Sequence, residues 1–173
     1  MNRSDFMNTQ ILITISGAYQ AHFVNLLSEK THHLGGKWLT SKINHIDGYM
    51  AGLIKVELDV DNVDTLLHEF KALPINVEWV ELTPLTNEKT KHLDLSIDAK
   101  DRAGLVRDIS QVLSENNINV ESMECNRVGV PSIGDVIFTS HFKVAVSDSF
   151  DKEALIDHLQ SFSDDFLIDI NEL

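Results

Sequence analysis

A short loop, Asp101-Arg102-Ala103-Gly104-Leu105, is the part of the chain best suited to bind a small molecule. It joins a predicted strand to a predicted helix, and the first amides of a helix have no partner within the helix and lie at the positive end of its dipole. Gly104 lacks a Cβ that would keep a ligand away from the backbone. The loop therefore predicts a carboxylate site on the amides of Ala103 to Leu105.

An amino acid at this loop would also need an acceptor for its ammonium group, for which Asp101 and Asn119 are the candidates. A purely structural alternative stays open, in which Asp98 or Asp101 caps the helix and Gly104 only shapes the turn. The two interpretations differ in the outcome of Gly104→Val. If the loop binds a ligand, we expect this change to block it and leave the fold largely intact, because Gly104 lies in the first helical turn and not in the core.

Other chemistry has little support in the sequence. Eight histidines are present, but His32 and His33 are adjacent, and neither C-x-x-C nor H-E-x-x-H occurs, so no metal site is predicted. Cys125 lies in a predicted strand with no histidine placed beside it. Neither phosphate-binding glycine pattern occurs. We therefore expect no catalytic residue, no metal and no cofactor.

The charge balance restricts the partners. The chain has 173 residues with 14 Lys+Arg against 27 Asp+Glu, a net charge of −13 at pH 7. Nucleic-acid grooves and anionic membrane surfaces need clustered basic residues, so direct binding to DNA or to a membrane is disfavoured. The aliphatic run Ile11-Leu12-Ile13 is far shorter than the roughly 18 residues of a membrane span. The first ten residues contain no apolar signal segment, which predicts a cytoplasmic protein.

Hydrophobic periodicity in the first half predicts six elements. A strand through Ile11 to Ile15 precedes a helix, and Asp47-Gly48 predicts a tight hairpin turn. Asp61-Asn62 is expected to cap a second helix, which Pro74 ends. The predicted inward residues of the first helix are Phe23, Val24, Leu27 and Leu34, and those of the second are Val63, Leu66, Leu67 and Phe70. The remaining predicted strands are 38–45, 50–58 and 75–82.

The same order returns after the polar run 87–91, which predicts a linker between domains 1–86 and 92–173. Phe23-Val24 and Leu105-Val106 occupy corresponding helix positions 82 residues apart, which suggests an internal duplication. Each half is βαββαβ, and we predict an α+β fold of two tandem ferredoxin-like domains, with helices on one face of each antiparallel sheet. The elements predicted for the second half are strands 93–97, 119–127, 135–146 and 166–170, a looser connection 129–134, and helices around Ile109 and Leu159.

These residues resemble a known family. The run Asp101 to Val106, followed by Asn117-Ile118-Asn119-Val120, resembles the ACT-domain signature. In the first half, Gly35-Gly36-Lys37-Trp38-Leu39 and Gly48-Tyr49-Met50-Ala51-Gly52 resemble the glycine cleavage repressor group, whose members are tandem ACT proteins. The resemblance implies a regulatory protein without a catalytic centre that binds an amino acid, glycine or a similar one. It also adds Arg102 and Asn117 to the candidate ligand residues, beside Asp101, Ala103, Gly104, Leu105 and Asn119.

The resemblance further implies contact with a LysR-type transcription regulator in place of DNA, and it leaves homodimer formation open. In the first half, Tyr19, Gln20 and His22 replace the motif residues, so this loop is expected to be degenerate, with these three only as candidate lining residues. Two alternatives therefore remain beside the amino-acid sensor. One is a constitutive scaffold with vestigial sites, and the other is a regulatory piece of an amino-acid or folate enzyme.

Overall fold

The computed structural model describes residues 7–83, 90–132 and 134–172 of the chain. The chain divides into two compact units, Met1–Thr86 and Asn87–Leu173. Most of the predicted linker 87–91 lies outside the described residues. Lys91, its last residue, is already the first residue of a strand.

The first domain contains four strands and two helices. They are β1 (Asn8–Ala18), α1 (Phe23–His33), β2 (Lys37–Ile46), β3 (Tyr49–Asp59), α2 (Val63–Lys71) and β4 (Asn76–Glu81). A short 3₁₀ turn, Val60–Asn62, leads into α2. The second domain repeats the order with β5 (Lys91–Lys100), α3 (Leu105–Glu115), β6 (Asn119–Val130), β7 (Asp135–Val146), α4 (Lys152–Gln160) and β8 (Leu167–Glu172).

Both sheets are antiparallel and have the same strand order, β2-β3-β1-β4 in the first domain and β6-β7-β5-β8 in the second. The first strand of each domain is central, and the hairpin that follows α1 or α3 adds on one side of it. The predicted α+β class and the two ferredoxin-like βαββαβ units are confirmed.

Each domain has its own hydrophobic core, because alternate residues of its central strand face the helices. Ile11, Ile13 and Ile15 of β1 are each 0% exposed, and the corresponding Leu93, Leu95 and Ile97 of β5 are at most 5% exposed. The helices supply the other side of each core through one apolar stripe, as the periodicity predicts. Val24 is an exception. It is 46% exposed, because it follows Phe23 directly and lies on the outer side of the first turn.

The structure corrects two local predictions. Strand β6 continues to Val130, which pairs with Asp135, so residues 129–130 belong to a long hairpin and not to a loose connection. The side chain of Asp59 accepts a hydrogen bond from the Asp61 amide at 3.0 Å, whereas Asn62 makes no cap and donates to the Leu34 carbonyl. The Asp47-Gly48 turn is confirmed, with φ of 48° and 83°. In the described ranges, no helix is both long and apolar enough to cross a membrane.

Candidate functional site

The loop between β5 and α3 has the backbone that the sequence predicts for close approach of a ligand. Gly104 is left-handed at φ 89° and immediately precedes α3. Within the described part of the chain, no side chain caps the N-terminus of α3. Ala103 and Gly104 are exposed, whereas the Leu105 side chain is 1% exposed and belongs to the core. Only the backbone of Leu105 is therefore available to a ligand.

Asp101 does not cap α3, so this part of the structural alternative is wrong. Its amide donates to the Val136 carbonyl at 2.9 Å, and its carboxylate Oδ1 accepts from Arg127 Nε at 2.9 Å. The Arg127 guanidinium also lies over the Phe138 ring, with Cζ 5.7 Å from the ring centroid. Pairing within the sheet brings Asp101 and Arg127 together across 26 residues, and sequence patterns do not reveal such a contact.

A buried carboxylate, Asp108, organises the charges of this helix start, although the sequence motifs do not predict it. Asp108 is 6% exposed and accepts hydrogen bonds from Arg102 Nη1 at 2.8 Å and from Arg107 Nη2 at 2.8 Å and Nε at 3.1 Å. Arg102, a candidate ligand residue, is thus already paired. One sequence feature could have indicated this contact. Asp108 lies on the apolar stripe of α3, where a buried charge requires a partner.

The ion pairs give Asp108 a testable pH dependence. Hydrogen bonds from Arg102, and then from Arg107, lower the pKa of Asp108 below its ordinary value. Such a carboxylate stabilises the fold above its unfolded-state pKa of about 3.9, and this contribution is lost as pH falls through the lower folded-state value. We expect Asp108→Asn to lower the midpoint of thermal unfolding at pH 7. The difference from wild type should narrow on acidification below about pH 4.

Asp148→Asn, which changes an exposed aspartate after β7, is the control for this pH series. If Asp108→Asn lowers the unfolding midpoint by the same amount at neutral and at acidic pH, the shape of the Asp108 side chain, and not its ionisation, makes it stabilising. Thermal unfolding followed by circular dichroism measures both variants.

Asn117 and Asn119 lie at the other end of the domain from the loop. Asn117 follows the C-terminus of α3, and its φ is 54°. The 11 residues of α3 span roughly 16 Å, and they separate Asn117 from Gly104. Asn119 pairs with Ala145, which also pairs with His92 near the start of β5, whereas Asp101 follows the end of β5. Within this domain the structure does not bring these asparagines to the loop.

The first domain forms a groove at the corresponding place. His22 stands 82 residues before Gly104 and keeps the left-handed backbone, with φ 65°. The rings of Tyr19 and His45 are in contact, with their centroids 4.5 Å apart. The three candidate lining residues, Tyr19, Gln20 and His22, all border a groove of about 560 Å³. The loop is degenerate in sequence, yet it borders a cavity of ligand size.

Comparison with known proteins finds a family match in the second half of the chain. Residues 94–163 match the family model for the ACT domain, and this range includes the whole loop. The second domain is therefore similar to ACT domains over 70 of its residues. The predicted resemblance to ACT domains is thereby confirmed for this half, and the Asp101–Leu105 loop lies within the matched residues.

Two solved structures share the fold over almost the whole chain. One is an unknown protein from Galdieria sulphuraria, with a TM-score of 0.83 at 18% identity, covering 96% of this chain and 99% of that one. The other is provisionally named a glycine cleavage system transcriptional repressor, with a TM-score of 0.67 at 14% identity, covering 96% and 98%. At these identities the likeness shows the tandem fold alone. A search among curated proteins finds no significant match.

Metal chemistry finds no support at either loop. Among the residues that the structure describes, no three His, Cys, Asp or Glu side chains are grouped so that they could hold a metal ion. Cys125 is half-buried, and burial raises the pKa of its thiol, which makes it a weaker nucleophile at neutral pH.

Proposed function

We propose that this protein is a non-enzymatic regulator that binds a small amino acid, glycine or a similar one, and acts by contacting another protein. The observation that carries the proposal is the uncapped start of α3, where Gly104 is left-handed and exposed within the ACT match. Such a helix start offers free amide donors and a favourable dipole to a carboxylate.

In the proposed pose, the ligand carboxylate contacts the amides of Ala103 to Leu105. The ammonium group is held by Asp101, whose Oδ1 is engaged by Arg127 and whose second oxygen can still accept. The pairs of Asp108 with Arg102 and Arg107 position the first turn of α3 and keep this acid from repelling the carboxylate. Asn119 takes no part in this pose because it lies at the far end of the domain.

The proposed partner is a transcription regulator, of the LysR type that controls glycine cleavage genes, in the cytoplasm. Two features support this proposal, and the first of them favours protein contact over DNA contact. The net charge of −13 disfavours binding to phosphates. The tandem fold is also that of a protein provisionally named a glycine cleavage system transcriptional repressor.

A thermal-unfolding screen of the full chain against the twenty amino acids tests the proposal. A ligand at 100 times its Kd should stabilise the native state by about 2.7 kcal/mol, a shift of several degrees. We expect Gly104→Asn to abolish this shift, because asparagine accepts a left-handed backbone and its side chain blocks the amides. Met123→Ser, an exposed change on β6, is the control and should keep the response.

A constitutive scaffold is the second candidate, and it is favoured by the way Asp101 and Arg102 already pair with Arg127 and Asp108. It predicts that no amino acid shifts the unfolding midpoint. A shift that persists in Gly104→Asn would place the ligand elsewhere and overturn the proposed pose.

A further inference from the structure

A cavity of about 370 Å³ opens in the second domain at the end opposite to the Asp101–Leu105 loop. Lys91, the first residue of β5, lines this cavity, whereas the loop follows the last residue of the same strand. The base of the cavity is apolar, because Leu93, Val146 and Ile170 belong to the hydrophobic core and are at most 6% exposed. The cavity is therefore separate from the loop and has the size of a small-ligand site.

Two lysines, Lys91 and Lys152, border this apolar base. The Lys152 Nζ atom donates a hydrogen bond to the Ile170 carbonyl oxygen at 2.7 Å, which fixes the ammonium group beside β8. An ammonium group has three N–H donors, so two remain for a ligand. In the part of the chain that the structure describes, neither lysine forms an ion pair. Both positive charges are thus available at the mouth of the cavity.

The charge at the mouth limits the kind of ligand. Among the described residues that line the cavity, Glu172 is the only acid. It is exposed and lies on β8 opposite Leu93. Two lysines against one glutamate leave a single net positive charge, which suits a monoanion better than a dianion or a cation.

The first domain has different side chains at the corresponding place. Val63 and Lys152 are each the first residue of a nine-residue helix, and Val63 is 6% exposed in its core. Thr9 stands 82 residues before Lys91, and its hydroxyl donates to Glu81 Oε1 at 2.8 Å. A core valine and a hydrogen-bonded threonine in one domain are therefore two lysines in the other.

Strand register supports this correspondence. Glu81 and Glu172 occupy the same position in the two sheets, because each pairs with the corresponding residue of its central strand. Two residues before them, the first domain has Trp79 and the second has Ile170. The smaller side chain leaves more room at this end of the second core, while the helix start adds an ammonium group.

We infer that this cavity binds a monocarboxylate with an apolar body, such as a branched alkyl chain or a phenyl ring. The carboxylate contacts the ammonium groups of Lys91 and Lys152, and hydrogen bonds between two charged groups are stronger than neutral ones. The apolar body covers Leu93, Val146 and Phe150, which removes apolar surface from water. This site goes beyond the proposed function, because it lies at the other end of the domain and needs no ammonium group on the ligand.

Isothermal titration of the full chain with isocaproate and with phenylacetate tests this inference. We expect at least one of them to bind wild type and to bind Lys152→Val at least tenfold more weakly, because valine is the uncharged residue of the first domain at this place. Isohexanol, the uncharged analogue of isocaproate, should bind wild type at least tenfold more weakly than isocaproate does. Added salt should weaken carboxylate binding, because it screens exposed charges.

Lys91→Thr repeats the test at the second lysine and also installs the residue of the first domain. We expect the same carboxylate to bind this variant several-fold more weakly. Lys143→Thr is the matched control and should leave the affinity unchanged, because Lys143 is exposed on the other face of the same sheet, between the buried Phe142 and Val144. Circular dichroism and the unfolding midpoint show whether each variant is folded.

The outcomes separate this inference from the proposed function. The carboxylate site is overturned if neither carboxylate binds wild type, if both lysine variants bind with unchanged affinity, or if isohexanol binds as tightly as isocaproate. Gly104→Asn should leave carboxylate binding unchanged, and a carboxylate that this variant excludes would lie at the loop and overturn the cavity site. If an amino acid shifts the unfolding midpoint but no carboxylate binds, the cavity site fails and the proposed function stands.

Discussion

Replacing Phe138 with alanine is expected to lower the free energy of unfolding of the second domain by about 3–5 kcal/mol, the cost of emptying a large site in a packed core. Phe138 is 0% exposed and is among the largest fully buried side chains. It pairs with Ala99 on the central strand and also supports the Arg127 guanidinium. A domain of this size has a stability of only about 5–15 kcal/mol, so the variant should be partly unfolded on mild heating.

Phe70→Ala is the matched change in the first domain, since Phe70 is also 0% exposed and lies in the other hydrophobic cluster. Hydrogen exchange of backbone amides distinguishes the two variants. We expect Phe138→Ala to lose protection chiefly in β5, α3 and β7, and Phe70→Ala chiefly in β1, β3 and α2. Equal loss throughout the chain in both variants would show that the two cores unfold as one unit.

Gly104→Val is expected to destabilise the second domain by at least about 1–2 kcal/mol, the cost of a side chain in the left-handed region. This corrects the expectation that the change leaves folding intact. There is room for a Cβ, whose nearest neighbour would be Arg107 Nη2 at 3.7 Å, but the φ of 89° strains a β-branched residue. The backbone conformation, and not a clash, therefore decides the effect.

His22→Gly is the reciprocal change and should act in the opposite direction. Glycine relieves the left-handed strain at φ 65°, but it also increases the conformational entropy of the unfolded chain. We expect the free energy of unfolding to rise by roughly 0.5 kcal/mol. Chemical denaturation measures the free energy of unfolding of both variants. The strain argument would be contradicted if Gly104→Val lost no more stability than Gly104→Asn, because asparagine tolerates this backbone conformation.

Much of the fold could be predicted from the sequence because its signals are local. Alternating Ile11, Ile13 and Ile15 predict a strand with one buried face, and Asp47-Gly48 predicts the hairpin turn that the structure contains. The repeat at 82 residues placed His22 opposite Gly104, and the shared left-handed φ at both positions agrees with that alignment. These features depend on neighbouring residues and on hydrophobic period, which the sequence displays directly.

The candidate site could be predicted only in part. The loop from Asp101 to Leu105 lies between a strand and a helix as the sequence predicts, because a glycine at a strand-to-helix junction is a local signal. Arg127 and Asp108 were missed, since the contacts Asp101–Arg127 and Arg102–Asp108 arise from sheet pairing and from the packing of a helix on its loop. The sequence predicts Asn119 at the loop, but β6 begins at the far end of α3.

The sequence by itself determined the class of fold, the repeated order of elements, the acidity of the chain and the position of the loop from Asp101 to Leu105. Only the tertiary structure showed that the first-domain loop borders a groove of about 560 Å³ and that Asp101 pairs with Arg127 in the second domain. The physical reason is that the same backbone carries Tyr19 and His45 in one domain and Asp101 and Arg127 in the other. His45 and Arg127 each have a cross-strand neighbour, Met50 and Phe138, which strand pairing brings beside them and sequence order does not.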